Sequence, residues 1–447
     1  MDGLQASVEK MEKEGIPRAA IDTFRHYYEQ LAEGETGMLP ESEIEPLEDV
    51  QQLDDLPAGD PPLDQAVVIK LNGGLGTSMG MTQAKSLIEA KDGLTFLDVI
   101  QRQVTGLRER SGARLPLVLM DSFYTHDDAL AALAIESDVP PDFVQNKEPK
   151  IRVDDLQPVA WPDDPSLEWC PPGHGDLYTA LLTSGMLDTL LDRGYGYAFV
   201  SNSDNLGAVL EPRILAWMAR DDIPFVMEVT RRTETDRKGG HIAQKPGGGY
   251  LLRETAQTPE EDLAALQDIG RHRYVNTNNL WIDLQALRDV MNERDGVLGL
   301  PLIVNRKTVD PGDKSTPEVF QLETAMGAAI GVFDGARPVA VTRQRFSPVK
   351  TTEDLLALRS DAYVLTDDAR VELAGARDGT PPVVDLDDDY YKLLRDFDQR
   401  FPAAPSLVAC ERLAVEGDVT FGREVVVRGS VTVSGPRTIE DGTVLEG

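Results

Sequence analysis

Short apolar runs alternate with amphipathic stretches from about residue 66 to 366. Val67–Leu71, Leu115–Met120, Tyr197–Ser201, Phe225–Val229 and Leu280–Ile282 are short, apolar and rich in β-branched or aromatic residues, which predicts buried strands. Thr179–Asp192 carries apolar residues at helical spacing, which predicts a helix. Such alternation implies an α/β domain built on a mostly parallel sheet with helices on both faces. Before it, residues 4–33 read as helical, with Ile21, Phe24, Tyr28 and Leu31 on one stripe. Pro17 interrupts that pattern and Gly34 ends it. Residues 37–64 are rich in proline and acid and predict an extended lead-in.

After residue 366 the pattern changes. Residues 367–405 are acidic and punctuated by proline, and predict a linker with one packing helix near Tyr390–Phe401. From Ser406 short alternating strands end in glycine turns at Gly417, Gly422, Gly429 and Gly435, a quasi-repetitive all-β tail. Four segments result: 1–65, 66–366, 367–405 and 406–447. Stacked repeats need covered ends, so the tail is expected to pack on the main domain or on a second subunit of a homo-oligomer.

The chain has 447 residues with ordinary apolar content, enough for a large core and two or three domains. No apolar run is long enough to span a bilayer. The first ten residues lack the basic and apolar regions of a secretory signal. Cys170 and Cys410 build neither a metal cluster nor a disulfide framework, so a reducing, cytoplasmic compartment is the expectation. With 44 basic against 77 acidic residues the net charge is −33, which argues against nucleic acid as a partner. Any site for phosphates must oppose this field locally. The chain has only 13 lysines, yet Lys85 and Lys350 both fall in candidate site motifs.

The strand Val67–Leu71 runs into Asn72-Gly-Gly-Leu-Gly-Thr-Ser-Met-Gly80, and Lys85-Ser86 follows. Glycines allow tight turns and bring bare N–H groups against a ligand. A helix starting just beyond would aim its positive end at the same point. The loop therefore suits a polyphosphate. It is not the dinucleotide fingerprint, because Gly80 comes one residue too late after Gly74-x-Gly76. It is not a P-loop, because four residues separate Gly80 from Lys85.

The string Leu71–Gly80, with Lys85-Ser86 and Thr95-Phe-Leu-Asp98, resembles the nucleotide-binding signature of the eukaryotic-type UTP–glucose-1-phosphate uridylyltransferase family. Further strings match in the same order: Trp169–Asp176, Phe199–Leu206, Asn276–Trp281, Gln321–Thr324 and Arg345–Lys350. The resemblance runs from about residue 10 to 365. It implies a Rossmann-like, glycosyltransferase A-like nucleotidyltransferase fold with a C-terminal left-handed β-helix. It also implies formation of UDP-glucose and pyrophosphate from UTP and glucose 1-phosphate, with Mg2+ as cofactor.

The resemblance assigns roles residue by residue. Leu71, Asn72, Gly73 and Gly74 would hold the nucleotide, with Asn202 beside the ribose or sugar. Gln145 would read the uracil edge, because an amide offers both donor and acceptor. Gly173 would lie against the uracil. His174 would face the sugar phosphate in a binding role, and Asn279 and Glu323 would bond sugar hydroxyls. Lys85 would neutralise charge on the departing pyrophosphate, and Lys350 would grip the sugar phosphate and the α-phosphate. Asp204 would be the magnesium ligand, with Asp176 as the weaker alternative.

Two departures from the family pattern stand out. Thr82-Gln-Ala84 replaces the usual Gly-Pro pair before the lysine, and Asn146-Lys-Glu148 replaces a serine-led stretch after Gln145. Three other readings stay open. They are a uridylyltransferase preferring galactose 1-phosphate or N-acetylglucosamine 1-phosphate, a nucleotide-binding regulator without turnover, and a nicotinamide oxidoreductase. The glycine spacing argues against the last.

Overall fold

The computed structural model describes residues 3–76, 79–233, 236 and 239–447. Thr77 and Ser78 of the glycine string lie outside them. The central sheet has the strand order Gln51–Gln52, Arg337–Ala340, Phe225–Arg231, Tyr274–Asp283, Tyr197–Asn202, Ala66–Leu71, Leu117–Asp121 and Asp142–Val144. Tyr274–Asp283 runs antiparallel to both its neighbours, and the remaining pairs along this path are parallel.

Both faces of the sheet are covered, as the apolar runs require. Strand alternation divides the side chains between two cores. Val68, Leu117, Leu119, Phe199 and Trp281 enter one core, against the helices Phe96–Ser111 and Pro212–Asp221. Val67, Ile69, Val118, Met120, Ala198 and Val200 enter the other, against Leu177–Thr183, Met186–Asp192 and Leu284–Glu293.

The N-terminal stretch forms Gly3–Lys13 and Arg18–Ala32, with the break at Pro17. Their apolar stripe, including Met11, Phe24 and Tyr28, packs on Ile151 and Leu322. The lead-in is not wholly extended. It holds three short 3-10 turns, and Gln51–Gln52 joins the sheet as an edge strand.

Three expected helices differ. Thr179–Asp192 is two helices, Leu177–Thr183 and Met186–Asp192, because Gly185 takes the left-handed conformation at φ 74° and its N–H closes on Leu182. Tyr390–Phe401 is likewise split into Asp388–Tyr391 and Leu394–Arg400. Among the described residues no α-helix follows the glycine loop directly; a 3-10 turn, Lys85–Leu87, and a hairpin intervene before Phe96–Ser111.

The tail is a stack of parallel strands: Val383–Leu386, Ser406–Glu416, Val426–Ser434 and Val444–Glu446 on one face, and Val419–Phe421 with Arg437–Ile439 on another. The later coils repeat every 18 residues, visible in the Arg428–Glu446 ion pair and the Ser434–Glu416 hydrogen bond. The stack begins at Val383, inside the stretch read as a linker. Its interior, including Leu413, Val419, Phe421 and Val431, is continuous with the core of the main domain.

Candidate functional site

Ala66–Leu71 and Tyr197–Asn202 are parallel neighbours with Leu71 opposite Asn202. The glycine loop and the Ser203–Asn205 turn therefore leave the sheet side by side at its carboxyl edge, where ligands of such sheets bind. Ser203 N–H donates to Leu71 O at 3.1 Å and closes the floor. Asn72 Nδ2 donates to Asp121 Oδ1 at 2.7 Å. Gln145 N–H donates to the carbonyl of the same Asp121 at 2.8 Å. A Cβ on Gly73 would stand 3.2 Å from Gln145 Nε2 and would push that amide back by a few tenths of an ångström, so glycine lets the loop lie close on it.

Asp176 is not a metal ligand in this arrangement. Its two oxygens accept from Asn146 N–H at 2.6 Å and Asn146 Nδ2 at 2.9 Å. Burial pushes its carboxyl up to about 7. It braces the residue after Gln145.

Lys85 and Asp204 meet across the loop. Lys85 N–H donates to Gly74 O at 3.1 Å, which ties the lysine to the glycines. Its Nζ lies 2.9 Å from Asp204 Oδ2, with both side chains mostly buried. Asp204 Oδ1 is buried and has no hydrogen-bond partner. A buried carboxylate oxygen without a donor is costly, and a cation would satisfy it. Asp204 thus fits a magnesium ligand.

The segment 345–350 is pinned on the same turn. Asn205 Nδ2 donates to Arg345 O at 3.0 Å, Ser347 N–H to Asn205 Oδ1 at 3.1 Å, and Val349 N–H to Asp204 O at 3.0 Å. Lys350 follows at once and is exposed, and its N–H is held by Asp354 Oδ2 at 2.8 Å in the capping turn of Thr352–Arg359. Beneath, Lys70 Nζ donates to Ser201 Oγ at 2.7 Å and Ala208 O at 2.8 Å. Burial pushes that ammonium down to about 7. Nothing in the glycine motif singled Lys70 out, although a lysine inside an apolar strand is itself a signal.

The third wall comes from Gly173–Gly175. Gly173 has φ 78°, and a Cβ there would stand 2.7 Å from Thr324 O and 3.0 Å from Glu323 Cβ. The two motifs therefore pack directly. His174 Nδ1 accepts from Met326 N–H at 3.0 Å, leaving Nε2 as the protonated nitrogen. Burial first, then the nearby Lys350 charge, lower the imidazole to about 4 against an opposing pull from Glu323. His174 is thus a neutral N–H donor at pH 7, suited to binding rather than acid catalysis. Glu323 is half-buried and pairs with Lys307 at 3.3 Å.

Asn279 does not fit the sugar-binding role. It is fully buried, and its Nδ2 donates to Glu228 Oε2 at 3.0 Å and Arg345 O at 3.2 Å. Strand periodicity puts it on the face of Trp281, whose Nε1 donates to Glu228 Oε1 at 3.0 Å. Arg345 completes this buried cluster with 2.8 and 2.6 Å bonds to Glu228. The adjacent Asn278 is half-buried and sits at φ 57°, where Phe225–Arg231 and Tyr274–Asp283 shift register. Asparagine is among the non-glycine residues that enter this conformation most readily, and here it sits at the irregularity between the two strands. Alternation back from Trp281 was the signal that separated the two asparagines.

Comparison with known proteins shows the family. A family model described as UTP–glucose-1-phosphate uridylyltransferase matches residues 21–428. The chain belongs to this family. A potato (Solanum tuberosum) member is 42% identical over 392 residues, covering 86% of this chain and 80% of the relative. The Saccharomyces cerevisiae member is 40% identical over 380 residues, covering 83% and 74%. Among solved structures, a Leishmania major UDP-glucose pyrophosphorylase mutant in complex with UDP-glucose is 46% identical at a TM-score of 0.94, covering 100% of this chain and 98% of that one. A Trypanosoma brucei structure is 45% identical at a TM-score of 0.92. Family membership thus extends across the sheet and the C-terminal stack. Among the described residues no helix is long and apolar enough to cross a membrane.

Proposed function

We propose that this chain forms UDP-glucose and pyrophosphate from UTP and glucose 1-phosphate, with Mg2+ assistance. The observation that carries the reading is the Lys85–Asp204 pair over the glycine loop, with Lys350 on the adjoining segment. The attacking group is a sugar-phosphate oxygen, already ionised at neutral pH, so no general base is required. Catalysis then rests on positioning and charge stabilisation.

Leu71, Asn72, Gly73 and Gly74 line the nucleotide subsite. Gln145 presents an amide to the uracil edge, and a base with donor and acceptor exchanged would leave both amide groups unmet. Lys85 stands where pyrophosphate departs, and Lys350 holds the two reacting phosphates together. His174 donates its Nε2 proton to the sugar phosphate. Asn202, Asn278 and Glu323 supply polar groups for the ribose and the sugar. Asp204 would hold magnesium, whose chemistry when bound is to neutralise phosphate charge. In the same reading the C-terminal stack is a left-handed β-helix and a contact for homo-oligomers, and the enzyme works in the cytoplasm.

The test is steady-state pyrophosphate release with UTP, ATP, CTP or GTP, each against glucose 1-phosphate, galactose 1-phosphate and N-acetylglucosamine 1-phosphate, with and without Mg2+. UTP with glucose 1-phosphate and Mg2+ is expected to lead. Preference for another sugar phosphate moves the assignment within the class, and UDP-sugar binding without turnover overturns it.

A further inference from the structure

A second cluster of ligating groups lies beneath the glycine loop, apart from Asp204. The parallel strands Leu117–Asp121 and Asp142–Val144 bring Asp121 and Asp142 to neighbouring positions, and the helix His126–Ala132 starts between them in sequence. One ligand atom from each of Asp121, His126 and Asp142 lies within 4.8 Å of the others. His126 Nδ1 is 2.5 Å from Asp142 Oδ2.

Asp121 is fully buried. Its Oδ1 accepts from Asn72 Nδ2 at 2.7 Å and from Thr125 Oγ1 at 3.2 Å. Its Oδ2 is buried and accepts no hydrogen bond. An enclosed carboxylate oxygen beside a second carboxylate is unfavourable unless a proton or a cation compensates it.

We propose that Asp121, His126 and Asp142 form a binding site for one divalent transition-metal ion of the zinc class. One imidazole nitrogen and two carboxylate oxygens are the donor set such ions take, with water completing the shell. Ligand bonds of about 2.0–2.2 Å put donor atoms roughly 3.3 Å apart on a tetrahedral ion. His126 and Asp142 must therefore part by less than about 1 Å, and the wider separations within the 4.8 Å cluster must close by up to about 1.5 Å, movements for which the 38% exposed imidazole side chain has room. Because Asp121 also anchors Asn72, the ion would fix the support of the glycine loop. The competing state is a protonated His126 paired with Asp142 alone.

Titration of the tag-free, nucleotide-free full chain with Co2+ distinguishes them. The expected result is a saturable visible absorption band at one ion per chain, displaced by Zn2+, together with a Zn2+-dependent rise in Tm. His126→Gln and Asp142→Asn each weaken Co2+ binding at least tenfold, whereas Asp128→Asn, at an exposed position on the same helix, leaves it unchanged. Absence of a saturable band in the wild-type chain, or a band indifferent to both His126→Gln and Asp142→Asn, overturns the site.

Discussion

Lys85 Nζ stands 2.9 Å from Asp204 Oδ2, although 119 residues separate them in the chain. The pair closes the carboxyl edge of two neighbouring strands, and in the proposed mechanism its members have opposite duties toward a triphosphate. Lys85→Ala and Asp204→Asn should each lower kcat by about 10²–10³-fold, the cost of losing a transition-state charge partner. Because the residues touch, the double variant should lose much less than the product of the single effects. Initial rates of pyrophosphate release across the four proteins check this, and multiplicative losses would separate the two roles.

Lys350 acts on a different quantity. It is exposed at the end of the segment pinned to Asp204. Lys350→Ala should lower kcat by about 10²-fold while UTP affinity changes by less than about threefold. Calorimetry for UTP and turnover at saturation separate these. Near-normal turnover would remove Lys350 from the mechanism.

Gln145 should govern base choice. Its amide lies on Gly73 at the floor of the loop. Gln145→Leu removes donor and acceptor together, and the preference for UTP over CTP in kcat/KM should fall by about 10–100-fold. Unchanged preference would show that uracil is read elsewhere.

The two asparagines make opposite predictions. Asn279→Ala takes one donor from buried Glu228 and should destabilise the fold by about 1–3 kcal/mol. Asn278→Ala should lower Tm little and raise the KM for glucose 1-phosphate instead. Denaturant midpoints and KM values for the two variants test the assignment, and the reverse pattern would restore Asn279 to the sugar site.

His174 gives a pH dependence of stability. Its folded-state value near 4 lies below the ordinary histidine value near 6.5. The unfolded chain therefore takes up the proton first as pH falls. Stability from this residue is complete above pH 6.5 and is lost between pH 6.5 and 4. The slope is at most about 1.4 kcal/mol per pH unit, and less because the residue keeps partial exposure. His174→Asn should flatten the fall in urea midpoint over that window. An unchanged slope would mean that other groups carry it.

Much of the fold follows from local pattern. Val67, Val68 and Ile69 announce a strand buried on both faces, and the glycines at 73–76 announce a close approach by ligand or chain. The helix break at Gly185 was also written locally, in a glycine free to adopt positive φ. The missing helix after the glycine loop was not, because Lys85–Leu87 is held by Gly74 O and by the hairpin that follows.

Residue order alone therefore determined the alternating strands, the glycine loop, the motif set and the family, because side-chain periodicity and backbone freedom are properties of neighbouring residues. Tertiary structure decided that Asn279 is buried while Asn278 keeps partial exposure, that Asp176 braces Asn146, that Lys85 meets Asp204, and that Asp121, His126 and Asp142 converge. Those outcomes depend on strand register and on contacts between distant segments, and burial and charge act there through space rather than along the chain.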